Sequence, residues 1–231
     1  MTPAAAAALL PALVLVPLAG AAVTGVLSPA EALSLVRVRA TGMARAAAAT
    51  PTGMAAVVGG DQDEVLAAID AAGLAPANVN GAGQIVAAGT AEALGALAES
   101  APARARVIPL KVAGAFHTEH MRPAVDDLAA HVAGLSPSVP RLPLLSNRDG
   151  EAVESGTDVL ARIVDQVTRP VRWDLCMATM ATRQVTGVLE LLPGGTLTGL
   201  AKRGLKGTAQ LAVKTPEDLD AARAFLAEHS A

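Results

Sequence analysis

Tyrosine is missing from the 231 residues, and the only aromatic side chains are Phe116, Trp173 and Phe225. With a net charge of -3, the chain has no overall attraction for a phosphate backbone and almost nothing to stack on bases, so nucleic acid is excluded as a partner. Alanine, valine and leucine must fill the interior, which predicts close approach of helices through small side chains. A lone cysteine, Cys176, permits no internal disulfide. That removes the secreted mini-protein class and points to a reducing, cytoplasmic setting. Charge is absent before Glu31. The uncharged lead raises a signal or membrane-anchor reading, but no Lys or Arg precedes it and Pro11 and Pro17 interrupt any helix through 9–18. A buried strand at 13–16, followed by a helix from about Ala19, is the expectation for this segment. At 52% hydrophobic and 17% charged residues the chain is not disordered, and its length suits one large or two small domains.

Beyond the lead, helical and strand patterns alternate. Ser28-Pro29-Ala30-Glu31 reads as an N-cap, a first-turn proline and a first-turn acid, predicting a helix to about Ala48. Leu33, Val36, Ala40 and Met43 form its apolar stripe, leaving Arg37 and Arg39 off the centre. Residues 53–112 have their own order: a strand at 54–58, a helix capped by Asp61, strands at 77–80 and 84–88 around Gly81-Ala82-Gly83, a helix opened by Thr90, and a strand at 106–112. That βαββαβ order predicts a ferredoxin-like subdomain. A helix over 118–135, a strand at 143–146, a helix capped by Thr157, a helix near 174–183, a strand at 188–192, a short helix from Leu197, a strand at 210–213 and a helix over 216–228 follow. Strands alternating with helices suggest a parallel α/β sheet.

The motifs carry little by themselves. Gly81-x-Gly83 lacks a third glycine and a following helix, so it reads as a hairpin turn, not a dinucleotide loop. Gly199 to Lys206 lacks the Gly-Lys-Ser/Thr of a phosphate loop. His117 and His120 flank Glu119 without a third ligand at a recognised spacing, which argues against a metal. His117 follows a predicted strand and is either a helix-entry residue or a base lining a crevice. Arg39 can be a solvated charge, Gln166 a surface amide, and Trp173 a core or subdomain contact.

Read in order, several segments resemble the malonyl-CoA:acyl-carrier-protein transacylase family: Ala21-Ala22-Val23-Thr24-Gly25-Val26-Leu27-Ser28, Leu35-Val36-Arg37-Val38-Arg39 with Met43, Asn78-Val79-Asn80-Gly81, Gly114-Ala115-Phe116-His117, Gln166-Val167-Thr168-Arg169-Pro170-Val171-Arg172-Trp173 and Pro193-Gly194-Gly195-Thr196-Leu197-Thr198. The resemblance implies a hydrolase-like α/β subdomain, residues 1–52 and 113–231, with the ferredoxin-like insert at 53–112 and an active crevice between them. It also implies malonyl transfer from malonyl-CoA to the phosphopantetheine thiol of acyl carrier protein, in fatty-acid or polyketide synthesis, through an acyl-serine. By the same resemblance His117 is the general base, Gln166 orients it, Arg39 holds the malonyl carboxylate with two parallel charge-assisted bonds, and Phe116 crowds out an α-methyl branch. No cofactor or metal is implied, and a monomer is expected.

The chain departs from this pattern at its start. No Gly-His-Ser occurs anywhere in it, and at family spacing the nucleophile position is Val14. The family's first third, with its glutamine-containing oxyanion loop, has no counterpart. Loss of the nucleophile costs on the order of a millionfold in turnover, and a lost oxyanion donor about 3 kcal/mol more. Two explanations are open: residues 1–20 are a frameshifted or misassigned start, which reading the upstream DNA in three frames tests, or the chain is an inactive fragment that acts at most as a binding module.

Overall fold

A computed structural model of the chain describes residues 10–229, with side chains from residue 17 onward. Residues 1–9 and the side chain of Val14 lie outside the description. A first helix, α1 (Leu10–Val23), runs without a break through the position expected to be a strand. Pro11 falls in its first turn, where a missing N–H costs nothing, while Pro17 is carried inside it. The strand at 13–16 and the proline break are therefore both corrected.

α2 (Pro29–Ala49) begins as expected: Ser28 and Glu31 form a reciprocal capping box with Pro29 in the first turn. Its buried face is different from the one predicted. Ala32, Leu35, Arg39, Gly42, Met43 and Ala46 turn inward, whereas Leu33 is 66% exposed. The inward row keeps the three- and four-residue spacing of a helix face but includes an arginine and a glycine, so counting only large apolar residues misphases it.

The next six elements are β1 (Thr52–Gly59), α3 (Gln62–Ala71), β2 (Ala75–Gly81), β3 (Gln84–Thr90), α4 (Ala91–Glu99) and β4 (Ala105–Pro109). Their strands lie in the order β4-β1-β3-β2, each antiparallel to its neighbour. This is the split βαβ arrangement of a ferredoxin-like sheet. Asp61 caps α3 and Thr90 caps α4 through side-chain oxygens. At the β2–β3 hairpin Gly81, Ala82 and Gly83 all take positive φ, the left-handed backbone a two-residue turn requires. On one side of the sheet Val57, Val65, Ile69, Leu74, Val79, Ile85, Ala87 and Leu97 form a small core.

The other side of the sheet is not free. Met54, Ala77, Val86 and Ala88 join Leu18, Leu35, Met43, Phe116, Met121, Leu128, Leu160 and Ile163 in one interior. A fifth strand, β7 (Val171–Arg172), pairs in parallel with β2, Asn78 opposite Val171 and Val79 opposite Arg172. Small side chains permit the close contacts expected of this composition: a Cβ at Gly114 would sit 2.8 Å from the Ala47 methyl.

The remaining elements are smaller than the sequence suggests. The expected single helix over 118–135 divides into a 3-10 turn (Glu119–Ala124) containing Pro123 and a helix α5 (Val125–Ala133). A proline has no N–H to give the longer helical bond, which is why the tighter turn precedes the helix. A short hairpin, β5 (Leu144–Leu145) with β6 (Ala152–Val153), closes around 147–150. α6 (Gly156–Asp165) is capped by Ser155, not by Thr157. α7 (Trp173–Thr182), β8 (Gly187–Glu190), α8 (Thr196–Gly204), β9 (Ala209–Ala212) and α9 (Leu219–His229) complete the chain. The broad parallel sheet expected from the alternating pattern is not formed among the described residues: parallel pairing is confined to β8 with β9 and β2 with β7.

Candidate active site

Three distant segments meet inside the molecule. Arg39, from the inward row of α2, is 0% exposed and donates from Nη2 to the side-chain carbonyl oxygen of Gln166 at 2.7 Å. Gln166, 5% exposed, follows the last residue of α6. Its backbone carbonyl lies 2.9 Å from Nδ1 of His117, which is 2% exposed. One residue thus engages the guanidinium with its side chain and the imidazole with its main chain. A carbonyl oxygen can only accept, so Nδ1 carries the proton and the lone pair of a neutral ring sits on Nε2.

The loop that presents His117 is tightly tied. His117 takes φ +62°, a left-handed conformation uncommon outside glycine. Thr118 Oγ1 donates to the Ala115 carbonyl at 2.7 Å, and the Ala115 N–H donates to Thr52 Oγ1 at 3.0 Å. Two threonines, one from the loop and one from β1, therefore hold the turn that aims the ring. Neither was legible as a site residue, because a threonine in a loop or at a strand start carries no signal of its own. Phe116 is buried in the shared interior directly before His117, and Thr118 is buried after it.

Electrostatics follow from burial. Loss of solvent lowers the His117 pKa to about 4, with the Arg39 charge adding to the effect and the Gln166 carbonyl opposing it. The ring is consequently neutral near pH 7. Burial also lowers the Arg39 pKa to about 10, which still leaves the guanidinium charged at neutral pH. A neutral imidazole with Nε2 available, beside a buried cation, can take a proton from a hydroxyl or thiol while the cation holds an anionic substituent.

His120 is exposed while its neighbour His117 is buried, so the two imidazoles share no site. Cys176 is buried, and its Sγ–H points to the Ser146 carbonyl at 3.4 Å. Burial, helped by Asp174 and Asp149, pushes that thiol up to about 12, which makes it a structural and not a nucleophilic group. Among the described residues no helix is long and apolar enough to cross a membrane.

A carbonyl-anchored imidazole and a buried guanidinium, set in the interior that a ferredoxin-like sheet covers, fit an acyl-transferring protein. The chain belongs to the acyl transferase domain family, which it matches over residues 17–229. Within that family it is 52% identical over 207 residues to the malonyl CoA-acyl carrier protein transacylase of Mycolicibacterium smegmatis, covering 88% of this chain and 71% of that protein. The crystal structure of MCAT from Mycobacterium tuberculosis superimposes with a TM-score of 0.85 at 51% identity, over 89% of this chain and 68% of that one. A type II polyketide malonyl-transacylase in complex with its acyl carrier protein superimposes with a TM-score of 0.82 at 29% identity, over 89% of this chain and 69% of that one.

Proposed function

We propose that this chain supplies the base and the carboxylate-recognition half of a malonyl-CoA:acyl-carrier-protein transacylase. The observation that carries the reading is the convergence of Arg39 and His117 on Gln166. In this reading residues 53–112 are an insert between the two parts of the hydrolase-like body, 1–52 and 113–231. The Arg39 guanidinium binds the free carboxylate of the malonyl group, a contact an acetyl group cannot make. With a serine hydroxyl as nucleophile, which this chain lacks at position 14, His117 Nε2 takes the hydroxyl proton as the oxygen bonds the malonyl carbonyl carbon and returns it to the departing CoA thiolate as the C–S bond breaks; it then takes the carrier thiol's proton and returns it to the serine oxygen as the malonyl group passes to sulfur. Gln166 holds the ring in the tautomer this requires. A malonyl carboxylate beside Arg39 offsets the guanidinium's repulsion of a proton on His117, so substrate binding itself raises the basicity of the ring. Phe116 limits space for an α-methyl branch.

A second reading is favoured by a specific observation. Position 14 is valine, and α1 passes through it as a continuous helix instead of the strand-turn-helix elbow that exposes a serine. On that reading the chain binds substrate or carrier without transferring anything. Mass spectrometry after incubation with malonyl-CoA, with Val14→Ser beside the parent chain, separates the two: a malonyl adduct on the variant supports transfer, while malonyl-CoA binding without an adduct on either supports the binding module. Failure to bind malonyl-CoA more tightly than acetyl-CoA sinks both.

The carrier is the proposed protein partner, met by this chain as a cytoplasmic monomer. Lys202, Arg203 and Lys206, all exposed on and just after α8, give a basic surface for an acidic carrier. Reversing these three charges is expected to weaken carrier binding at low salt and to have little effect at high salt. Unchanged affinity at low salt removes this surface from the proposal.

A further inference from the structure

A hollow of about 430 Å³ beside the Gln166 segment is lined by Arg148, Asp165, Arg169, Pro170 and Arg172. Asp165 and Arg169 are the near sequence neighbours of Gln166, so the hollow and the buried site share one stretch of chain. Three guanidinium groups line the concavity with one carboxylate, and Asp149 and Asp174, which do not line it, pair with Arg148 and Arg172.

The three arginines are committed to different degrees. Arg172 is fixed by two bonds to Asp174, at 3.0 and 2.8 Å, which orients it. Among the described residues the Arg148 side chain makes only long ion-pair contacts, 3.5 Å to Asp149 and 3.7 Å to Asp165. Exposed pairs of that kind contribute little and are readily exchanged for a better anion. Arg169 is exposed, and among the described residues its side chain makes no hydrogen bond or ion pair. α7 starts at Trp173, immediately after Arg172, without a side-chain cap. The positive end of its dipole therefore lies on the same segment.

We infer that this hollow is a phosphate-ester subsite, in which Arg169 and Arg148 close on a phosphate while Arg172 presents a prealigned guanidinium. Planar forked donors match phosphate oxygens, and the Asp165 carboxylate, repelled by the incoming anion, releases Arg148. The inference rests on the proposed function, because malonyl-CoA and a phosphopantetheinylated carrier both bear phosphate esters on the arm that brings the thioester in. It goes further by placing recognition of the phosphate end on Arg148, Arg169 and Arg172.

Trp173 is the single tryptophan and adjoins Arg172, so its fluorescence reports occupancy directly. The whole chain is titrated at low salt with CoA, 3′-dephospho-CoA, 4′-phosphopantetheine and pantetheine. Phosphorylated compounds are expected to bind about tenfold more tightly than pantetheine, the value of one charge-assisted contact. Arg169→Glu is expected to abolish that preference, and Arg169→Lys to retain part of it. Because the Arg169 side chain bonds nothing among the described residues, near-ultraviolet circular dichroism should not change; Arg148→Ala provides a second variant, expected to weaken CoA but not pantetheine. Loss of the preference on going from CoA to dephospho-CoA assigns the subsite to the nucleotide phosphate. Its retention with 4′-phosphopantetheine assigns it to the phosphate the carrier also bears, and either result supports the inference. A phosphate preference that survives both substitutions overturns the inference and leaves the proposed function standing. Absence of binding by every compound overturns both.

Discussion

Arg39 and Gln166, 127 positions apart, are joined by a 2.7 Å bond between a guanidinium nitrogen and an amide oxygen in the interior. The same glutamine accepts from His117 through its main chain. The two chemically distinct groups are therefore not independent: displacing Gln166 moves an anion receptor and a base together.

Arg39→Ala should erase discrimination between malonyl-CoA and acetyl-CoA. Loss of a charge-assisted pair of bonds is worth about 2 to 3 kcal/mol, or roughly 30- to 150-fold in affinity for the malonyl compound alone. Calorimetric titration with both thioesters measures it. Parallel losses for the two would mean that Arg39 holds the fold and not the carboxylate.

Stability should fall on acidification through His117. Its folded pKa, about 4, lies below the ordinary value of 6.5, so the unfolded chain takes up a proton first. The contribution is fully present above about pH 6.5 and is lost progressively down to about pH 4, amounting to about 3 kcal/mol. Urea unfolding at a series of pH values, with His117→Gln beside the parent chain, should show a shallower acid slope in the variant.

Glu190 anchors the opening of α8. Its carboxylate accepts from the N–H groups of Gly195, Leu197 and Thr198 and from the Thr198 hydroxyl. Burial alone would raise its pKa, but these donors outweigh that and lower it. Glu190→Gln should cost about 1 to 2 kcal/mol in a thermal or urea melt at neutral pH. The difference from the parent should shrink as pH falls through the lowered pKa of the native carboxylate, where the parent loses the same charge.

Cys176 should resist thiol reagents in the native state at pH 8. Its raised pKa and burial leave almost no thiolate and no path to it. Labelling rates measured against urea concentration should follow global unfolding; rapid labelling in buffer would place the thiol in a locally opening segment.

The ferredoxin-like insert was readable because its signals are local. Asp61 and Thr90 mark helix starts, and Gly81-Ala82-Gly83 marks a turn, each by side-chain or backbone chemistry that acts within a few residues. The phase of α2 was not, since its inward row places Arg39 and Gly42 where hydrophobicity predicts apolar bulk and leaves Leu33 outside. That misphasing is itself the mark of the site: a charge on a buried face is tolerated when a partner such as Gln166 is brought to it. Family resemblance identifies His117, Arg39 and Gln166, and no spacing rule joins them, because their contacts span 49 and 127 positions. Thr52 and Thr118 are silent in the sequence for the same reason, as hydrogen bonds made by the folded loop have no imprint in a linear pattern.

The parallel pairing of β7 with β2 mechanically couples the small sheet to the base. Val171 and Arg172 lie only a few residues beyond Gln166, so a tilt of that sheet tugs on the carbonyl that fixes the imidazole's proton. A displacement of that sheet would thereby reach the proton on the imidazole without any contact with the ring.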